Sequence, residues 1–259
     1  MQTAHLAARE PSGAAATGRG TFGARVGHAS ESGGNRHSED FFGSVVPRDD
    51  ELDAKGVLLA LADGLSGGDG RAAAESIVHS VLSDYYATPP TVSVELGLGK
   101  VIEAVNRWLY AQNASAGDDG GMLTTFSALV LRGRRYHVAH VGDTRIYRVR
   151  NSRLHRLTTD HVWRAGAMQR VLRRALGLDA KVIIEFADGD LAPGDAFLML
   201  SDGVWEMLRE AEIVELLAAE PDPQKAAAAL VERAVVREGQ FAQASDATAA
   251  VIRIDALRA

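Results

Sequence analysis

Cysteine is absent from all 259 residues. No disulfide, thiolate zinc site or cysteine nucleophile is therefore available, and a reducing, cytoplasmic setting suits such a chain. No stretch approaches the roughly 18 consecutive apolar residues of a membrane-spanning helix. The N-terminal MQTAHLAAREPSGAAATGRG also lacks the continuous apolar centre of a signal peptide. A soluble protein with no membrane partner is expected. Long basic runs are missing too, and the formal net charge is -6, which argues against nucleic acid as a partner. There is no internal repeat and no interdomain linker, so one domain is expected.

What is present is a block-wise order of elements. Residues 1–22, rich in Ala, Gly and Ser without sustained periodicity, read as a loosely ordered tail, and residues 23–259 as a single domain. Val57-Leu58-Leu59-Ala60-Leu61-Ala62 is short, continuously apolar and ends at Asp63-Gly64, as a buried strand running into a sharp turn would. Apolar residues at three-and-four spacing predict helices over 70–86 and about 94–113. Short strand-like runs follow at 124–131, 135–141, 144–149 and 154–157, an antiparallel meander. A short helical piece is predicted over 167–175, then strands at 182–186 and 196–200. Helices at about 211–219 and 223–238 precede a last strand at 248–254. Strands and helices clustered in blocks favour antiparallel sheets covered by helices over a doubly wound parallel sheet.

Five Asp-Gly pairs occur, at Asp63, Asp69, Asp119, Asp188 and Asp202, and the ordinary meaning of such a pair is a tight turn. Asp63 and Asp202 differ from the rest in standing directly after buried apolar runs, VLLALAD and AFLMLSD. Asp143 closes the run 136–141 through Gly142, Asp246 immediately precedes TAAVIRI, and Glu39-Asp40 lead into the run 41–46. Acids at strand ends that gathered at one rim would repel each other by several kcal/mol per close pair in a partly dry site, and a multivalent cation would relieve that repulsion. Hard oxygen donors without cysteine or paired histidines suit Mg2+ or Mn2+ rather than zinc. Two such ions sharing a carboxylate can generate hydroxide for an in-line phosphoryl displacement. The residues alone leave two readings open, a cation-binding cluster and a set of solvated turn acids.

Several stretches, in order, resemble the type 2C metal-dependent serine/threonine protein phosphatases from Glu39 to the last strand. They are Ser38-Glu39-Asp40, Leu61-Ala62-Asp63-Gly64 with Gly67-Gly68, Thr124-Thr125, Val141-Gly142-Asp143-Thr144-Arg145, Leu157-Thr158-Thr159-Asp160-His161, Arg174-Ala175-Leu176-Gly177, Leu200-Ser201-Asp202-Gly203 and Ser245-Asp246. Asp84-Tyr85-Tyr86-Ala87-Thr88-Pro89, Asn106-Arg107-Trp108-Leu109 and Ser201-Asp202-Gly203-Val204-Trp205-Glu206 look most like the phosphatase part of bacterial proteins that fuse this domain to a serine/threonine kinase. No kinase motif is present in this chain.

The resemblance implies an α+β fold, a four-layer α-β-β-α sandwich of two antiparallel sheets flanked by helices, with metals in a cleft at one edge. It implies that Asp63 bridges two Mn2+ or Mg2+ ions, with the Gly64 carbonyl on one and Asp202 and Asp246 on the other. Glu39 and Asp40 would bind directly or through water, and Asp143 with Asp202 would hold a third, weaker ion. The implied activity is hydrolysis of phosphoserine and phosphothreonine by a metal-activated water. The implied partners are phosphorylated proteins, substrates of a cognate serine/threonine kinase or the kinase itself.

The chain departs from the family pattern at named positions. Ser38 replaces an Asn, Leu123 a Gly and Ala247 an Asn. The phosphate-binding arginine of the family falls at Asn35, with Arg36 one step displaced; Arg36 is taken as the phosphate clamp, since a guanidinium fork suits phosphate. Only twelve residues separate His161 from Arg174, a shortened flap. Leu65 stands where some relatives carry a histidine acting as general acid, which leaves a metal-bound water or another side chain such as His37 for that role.

The same residues admit other readings. Gly64-Leu65-Ser66-Gly67-Gly68 fits the G-x-S-x-G elbow of serine hydrolases, with Ser66 as nucleophile, but the last histidine is His161 and the scaffold is antiparallel. The same glycines lack the Lys-Ser/Thr of a phosphate-binding loop. A catalytically weak phosphoprotein-binding module of the same fold would be expected to lose Asp63, Asp202 or Asp246, and all three are present. His79, His137, His140 and His155 read as structural or surface residues.

Overall fold

The computed structural model describes residues 22–33, 37–65, 68–116, 121–165, 169–239 and 245–257. Two five-stranded antiparallel sheets face each other. The first has the order β1 (Gly23–Glu31), β12 (Ala247–Ala256), β11 (Ala196–Leu200), β6 (Arg145–Arg150) and β7 (Arg153–Arg156). The second runs β10 (Glu185–Asp190), β5 (Arg135–Val141), β4 (Phe126–Arg132), β3 (Val57–Asp63) and β2 (Asp40–Val45). Helices α2 (Gly70–Ala87) and α3 (Val94–Ala116) cover the second sheet, and α4 (Asp202–Trp205), α5 (Glu210–Ala219) and α6 (Pro223–Glu238) cover the first. The short α1 (Asp49–Lys55) lies between β2 and β3 in the chain. The four-layer sandwich expected from the sequence is the observed architecture.

The period-2 geometry of a strand explains why the central strands are apolar throughout. In β3, Leu58, Ala60 and Ala62 pack under α2 and α3, while Val57, Leu59 and Leu61 face the other sheet. In β11, Leu198 and Leu200 point to the helices, and Phe197 and Met199 into the space between the sheets. A strand with helices on one side and a second sheet on the other has no solvent face, so alternation disappears from its sequence.

Two expectations are corrected. Residues 167–175, read as helical, instead include β9 (Gln169–Leu172), which pairs with β8 (Val162–Ala165) in a two-stranded hairpin. The spacing of apolar residues there also fits a helix, but the backbone is claimed by pairing, and Arg173 N–H donates to the His161 carbonyl at 2.7 Å where the hairpin joins the body. The strand predicted at 182–186 begins only at Glu185 and continues through Asp188-Gly189 to Asp190, with Asp188 and Asp190 ion-paired to Arg135 on the neighbouring β5. The Asp-Gly pair that suggested a turn is therefore part of a strand. β1 and α1 were not predicted; β1 is rich in Gly, Ala and His and owes its conformation to pairing with β12 along its whole length. Of residues 1–22, only Phe22 lies within the described residues.

Candidate metal centre

Strand pairing decides which acids meet. In the β2–β3 register Asp40 lies directly opposite Asp63, so the first residue of one strand faces the last of the other at one edge of the sandwich. The Asp63 main chain is fixed there by the two residues before β4. Its N–H donates to Thr125 Oγ1 at 3.1 Å, and its carbonyl accepts from Thr125 N at 2.8 Å and Thr124 Oγ1 at 2.9 Å. Gly64 follows with its N–H on the Glu39 carbonyl at 3.2 Å. A Cβ at Gly64 would lie 2.3 Å from the Gly70 carbonyl carbon, so only glycine allows α2 to start so close to the strand end.

The first sheet contributes its acids to the same edge. Asp202 opens α4 immediately after β11, and Asp246 immediately precedes β12, the strand beside it. These two segments are zipped together by Ser201 N–H on the Thr248 carbonyl at 3.0 Å and Thr248 N–H on Ser201 Oγ at 2.8 Å. A Cβ on Gly203 would meet the Asp246 carbonyl oxygen at 2.3 Å, which is the physical content of the glycine after Asp202. The Asp246 carboxylate reaches across to the β2 segment, accepting from Glu39 N–H at 2.5 Å and Gly33 N–H at 2.7 Å.

The electrostatics record the convergence. Asp40 is 5% exposed, and neither carboxylate oxygen has a hydrogen-bond partner. Burial pushes its pKa up to about 8; the Thr248 and Ser201 hydroxyls nearby oppose the rise, and the charges of Asp202 and Asp246 add to it. Asp63 is held well above the usual carboxylate range by burial first, then by Asp40, Asp202, Asp143 and Asp246. Asp143, 7% exposed, thus bears on Asp63 from the turn after β5.

A buried carboxylate whose oxygens make no hydrogen bond, amid other carboxylates, is a donor set that fits a hard divalent cation. Among the described residues no three His, Asp or Glu side chains already close round one point. That spread agrees with mutual repulsion and with the Asp246 carboxylate being turned onto main-chain N–H groups.

The other sequence candidates fall elsewhere. Glu39 adjoins the cluster through its main chain, and its N–H holds Asp246. His37 is exposed. Arg36, Ser66 and Gly67 lie outside the described residues. Of the remaining Asp-Gly pairs, Asp69 is the N-cap of α2, its side chain accepting from Ala72 N–H at 3.3 Å. Asp188 serves the β5–β10 ion pair, and Asp119 is outside the described residues. Thr124-Thr125, quoted in the sequence only as a match, proves to be the clamp on Asp63.

Carboxylates gathered from both sheets at one edge of a sandwich are hard oxygen donors of the kind that suit divalent cations. Comparison with known proteins makes this specific. The sequence pattern of the family described as Protein phosphatase 2C matches residues 35–233, and the chain belongs to that family. The serine/threonine phosphatase stp of Listeria innocua is 29% identical over 201 residues, covering 70% of this chain and 78% of its own. The serine/threonine protein phosphatase PstP of Mycobacterium tuberculosis is 27% identical over 203 residues, 72% of this chain and 39% of its own. Among solved structures, the S. agalactiae serine/threonine phosphatase superposes with a TM-score of 0.77 at 26% identity, over 90% of this chain and 100% of that one. The catalytic domain of PstP in complex with two manganese ions gives 0.74 at 25% identity, over 91% and 100%. Among the described residues no helix is long and apolar enough to cross a membrane.

Proposed function

We propose that this chain hydrolyses phosphoserine and phosphothreonine in proteins, with residues 23–259 acting as one catalytic domain. Glu39, Asp40, Asp63, the Gly64 carbonyl, Asp202 and Asp246 hold a pair of Mn2+ or Mg2+ ions, and Asp143 with Asp202 holds a third, weaker one. The observation that carries this reading is the Asp40–Asp63 pair, two facing carboxylates whose pKa values are both driven up by burial and by further acids from the opposite sheet. Such a cluster is unfavourable in an ion-free protein and becomes favourable around divalent charge. When bound, paired divalent cations supply an acidified water and positive charge opposite the attacking and leaving oxygens of a phosphoryl transfer.

The chain's own residues give that chemistry its frame. Thr124 and Thr125 keep Asp63 from moving along its strand, and the Ser201–Thr248 pair keeps Asp202 and Asp246 in register. Arg36, close in sequence to Glu39, binds the substrate phosphate. In this reading the protein works in the cytoplasm on substrates of a serine/threonine kinase.

The test is turnover of p-nitrophenyl phosphate and of a phosphothreonine peptide with Mn2+ and with chelator, repeated for Asp63→Asn and Asp202→Asn. Activity that survives chelation or either substitution overturns the reading. Metal-independent retention of phosphoproteins without turnover would identify a binding module instead. Loss of ester hydrolysis on Ser66→Ala with chelators inert would identify a serine hydrolase.

A further inference from the structure

Asp143 and Asp202 come from different elements, and strand pairing brings them only approximately together. In the β6–β11 register Arg145 lies opposite Leu200, so the two acids stand just beyond the end of the paired stretch, where no ladder bond fixes their separation. The Trp205 indole spans this gap. It belongs to the short helix that Asp202 opens, is 8% exposed, and its Nε1–H donates to the Asp143 carbonyl at 3.1 Å. The ring is itself held. The Arg145 guanidinium lies 3.4 Å from its centre and is gripped by both Asp160 oxygens, at 2.9 and 2.7 Å, and placed 3.1 Å from the Tyr147 hydroxyl. On the other side of Asp143, Gly142 N–H donates to His161 Nδ1 at 3.1 Å, and the Gly142 carbonyl accepts from His161 N at 2.7 Å.

We infer that Trp205 is a positioning residue for the proposed metal centre: its indole N–H, stiffened by Arg145 stacked on its face, sets the spacing between Asp143 and Asp202. This rests on the proposed metal reading and goes beyond it, because Trp205 offers no oxygen to an ion and reaches the centre through the Asp143 main chain. A planar ring with one donor suits that task. It spans further than an aliphatic side chain, has only two side-chain torsions, and presents its N–H in a fixed direction. Outer contacts that orient ligands commonly change metal affinity by about tenfold or more when removed.

The experiment is calorimetric titration of the metal-free full chain with Mn2+, together with the Mn2+ dependence of p-nitrophenyl phosphate turnover. Trp205→Phe keeps a ring against Arg145 and removes the N–H; it should weaken Mn2+ binding and raise the half-activating Mn2+ concentration, each by about tenfold. In an Asp143→Asn background the same substitution should change Mn2+ binding little, because the carboxylate whose placement the indole bond sets is no longer there to bind an ion. Ile213→Ala, in the apolar cluster that also contains Trp205, controls for general loosening and should lower the unfolding midpoint while leaving Mn2+ affinity unchanged.

Wild-type affinity in Trp205→Phe, an equal loss in the Asp143→Asn background, or an equal loss from Ile213→Ala would each overturn the inference. A wild-type chain that binds Mn2+ with this pattern but hydrolyses nothing would leave the role of Trp205 standing and remove the phosphatase reading. One that takes up no Mn2+ would remove both.

Discussion

Replacing Asp40 by asparagine should make the metal-free protein more stable and at the same time take away much of the stabilisation that Mn2+ confers. Asp40 is almost fully buried, neither of its oxygens makes a hydrogen bond, and its pKa is pushed up to about 8, by burial first. The sign follows from linkage: the folded-state pKa lies above the unfolded value, so stability is greatest at low pH and is lost as pH rises from about 4 to about 8. At pH 7 the unfolded chain has released a proton that the folded one still holds, a difference of about 3 pH units, on the order of 4 kcal/mol. An asparagine has the same shape and no proton to release. Its amide remains a buried polar group, which costs about 1–3 kcal/mol if left without partners. The net expectation is a gain of about 1–3 kcal/mol, or several degrees in unfolding midpoint. Thermal unfolding in chelator should therefore show Asp40→Asn above wild type at pH 8, with the gap closing toward pH 5. Adding Mn2+ should raise the wild type far more than the variant. A variant no more stable than wild type at pH 8 in chelator would refute the claim that this carboxyl is buried in unfavourable company.

Other outcomes follow from the same geometry. Asp63→Asn should reduce Mn2+-dependent phosphatase turnover by more than the roughly 100-fold of an outer-contact loss, read as kcat at saturating Mn2+. Gly64→Ala should lower the unfolding midpoint by an amount corresponding to about 1–3 kcal/mol and cripple turnover, because the added Cβ meets the Gly70 main chain at 2.3 Å; an active, stable variant would contradict that packing. His140, fully enclosed and bonded to Ser127 and Thr159, has its pKa pushed down to about 3, by burial first and then by His161. Here the unfolded chain binds the extra proton, so stability is complete above about pH 6.5 and is lost as pH falls toward 3. Urea unfolding between pH 7 and 5 should show this acid-side loss in the wild type and a shallower one in His140→Gln.

The apolar runs, their lengths and the acids at their ends were readable from the residues, since a strand buried on both faces must be apolar throughout and a carboxylate held rigidly stands where a strand stops. Val57–Asp63 and the stretch up to Asp202 show both features. The helices read well for a related reason: α2 and α3 each bury one stripe, which leaves its period in the chain. The hairpin at 162–172 was misread because its apolar spacing suits a helix equally well, and only partner strands and the His161 carbonyl decide between them. The start of β10 was misplaced because Asp188-Gly189 resembles a turn until Arg135 is seen beside it.

The sequence by itself determined the class of architecture and which acids stand at strand ends, because burial and charge are written into residue type and spacing. Tertiary structure alone decided that Asp40 faces Asp63, that Asp246 turns onto Glu39 and Gly33, and that an indole 62 residues away in the chain holds the Asp143 carbonyl. Strand register and bonds from a side chain to a distant backbone depend on which surfaces pack together, and such contacts leave no period or composition in the chain to be read beforehand.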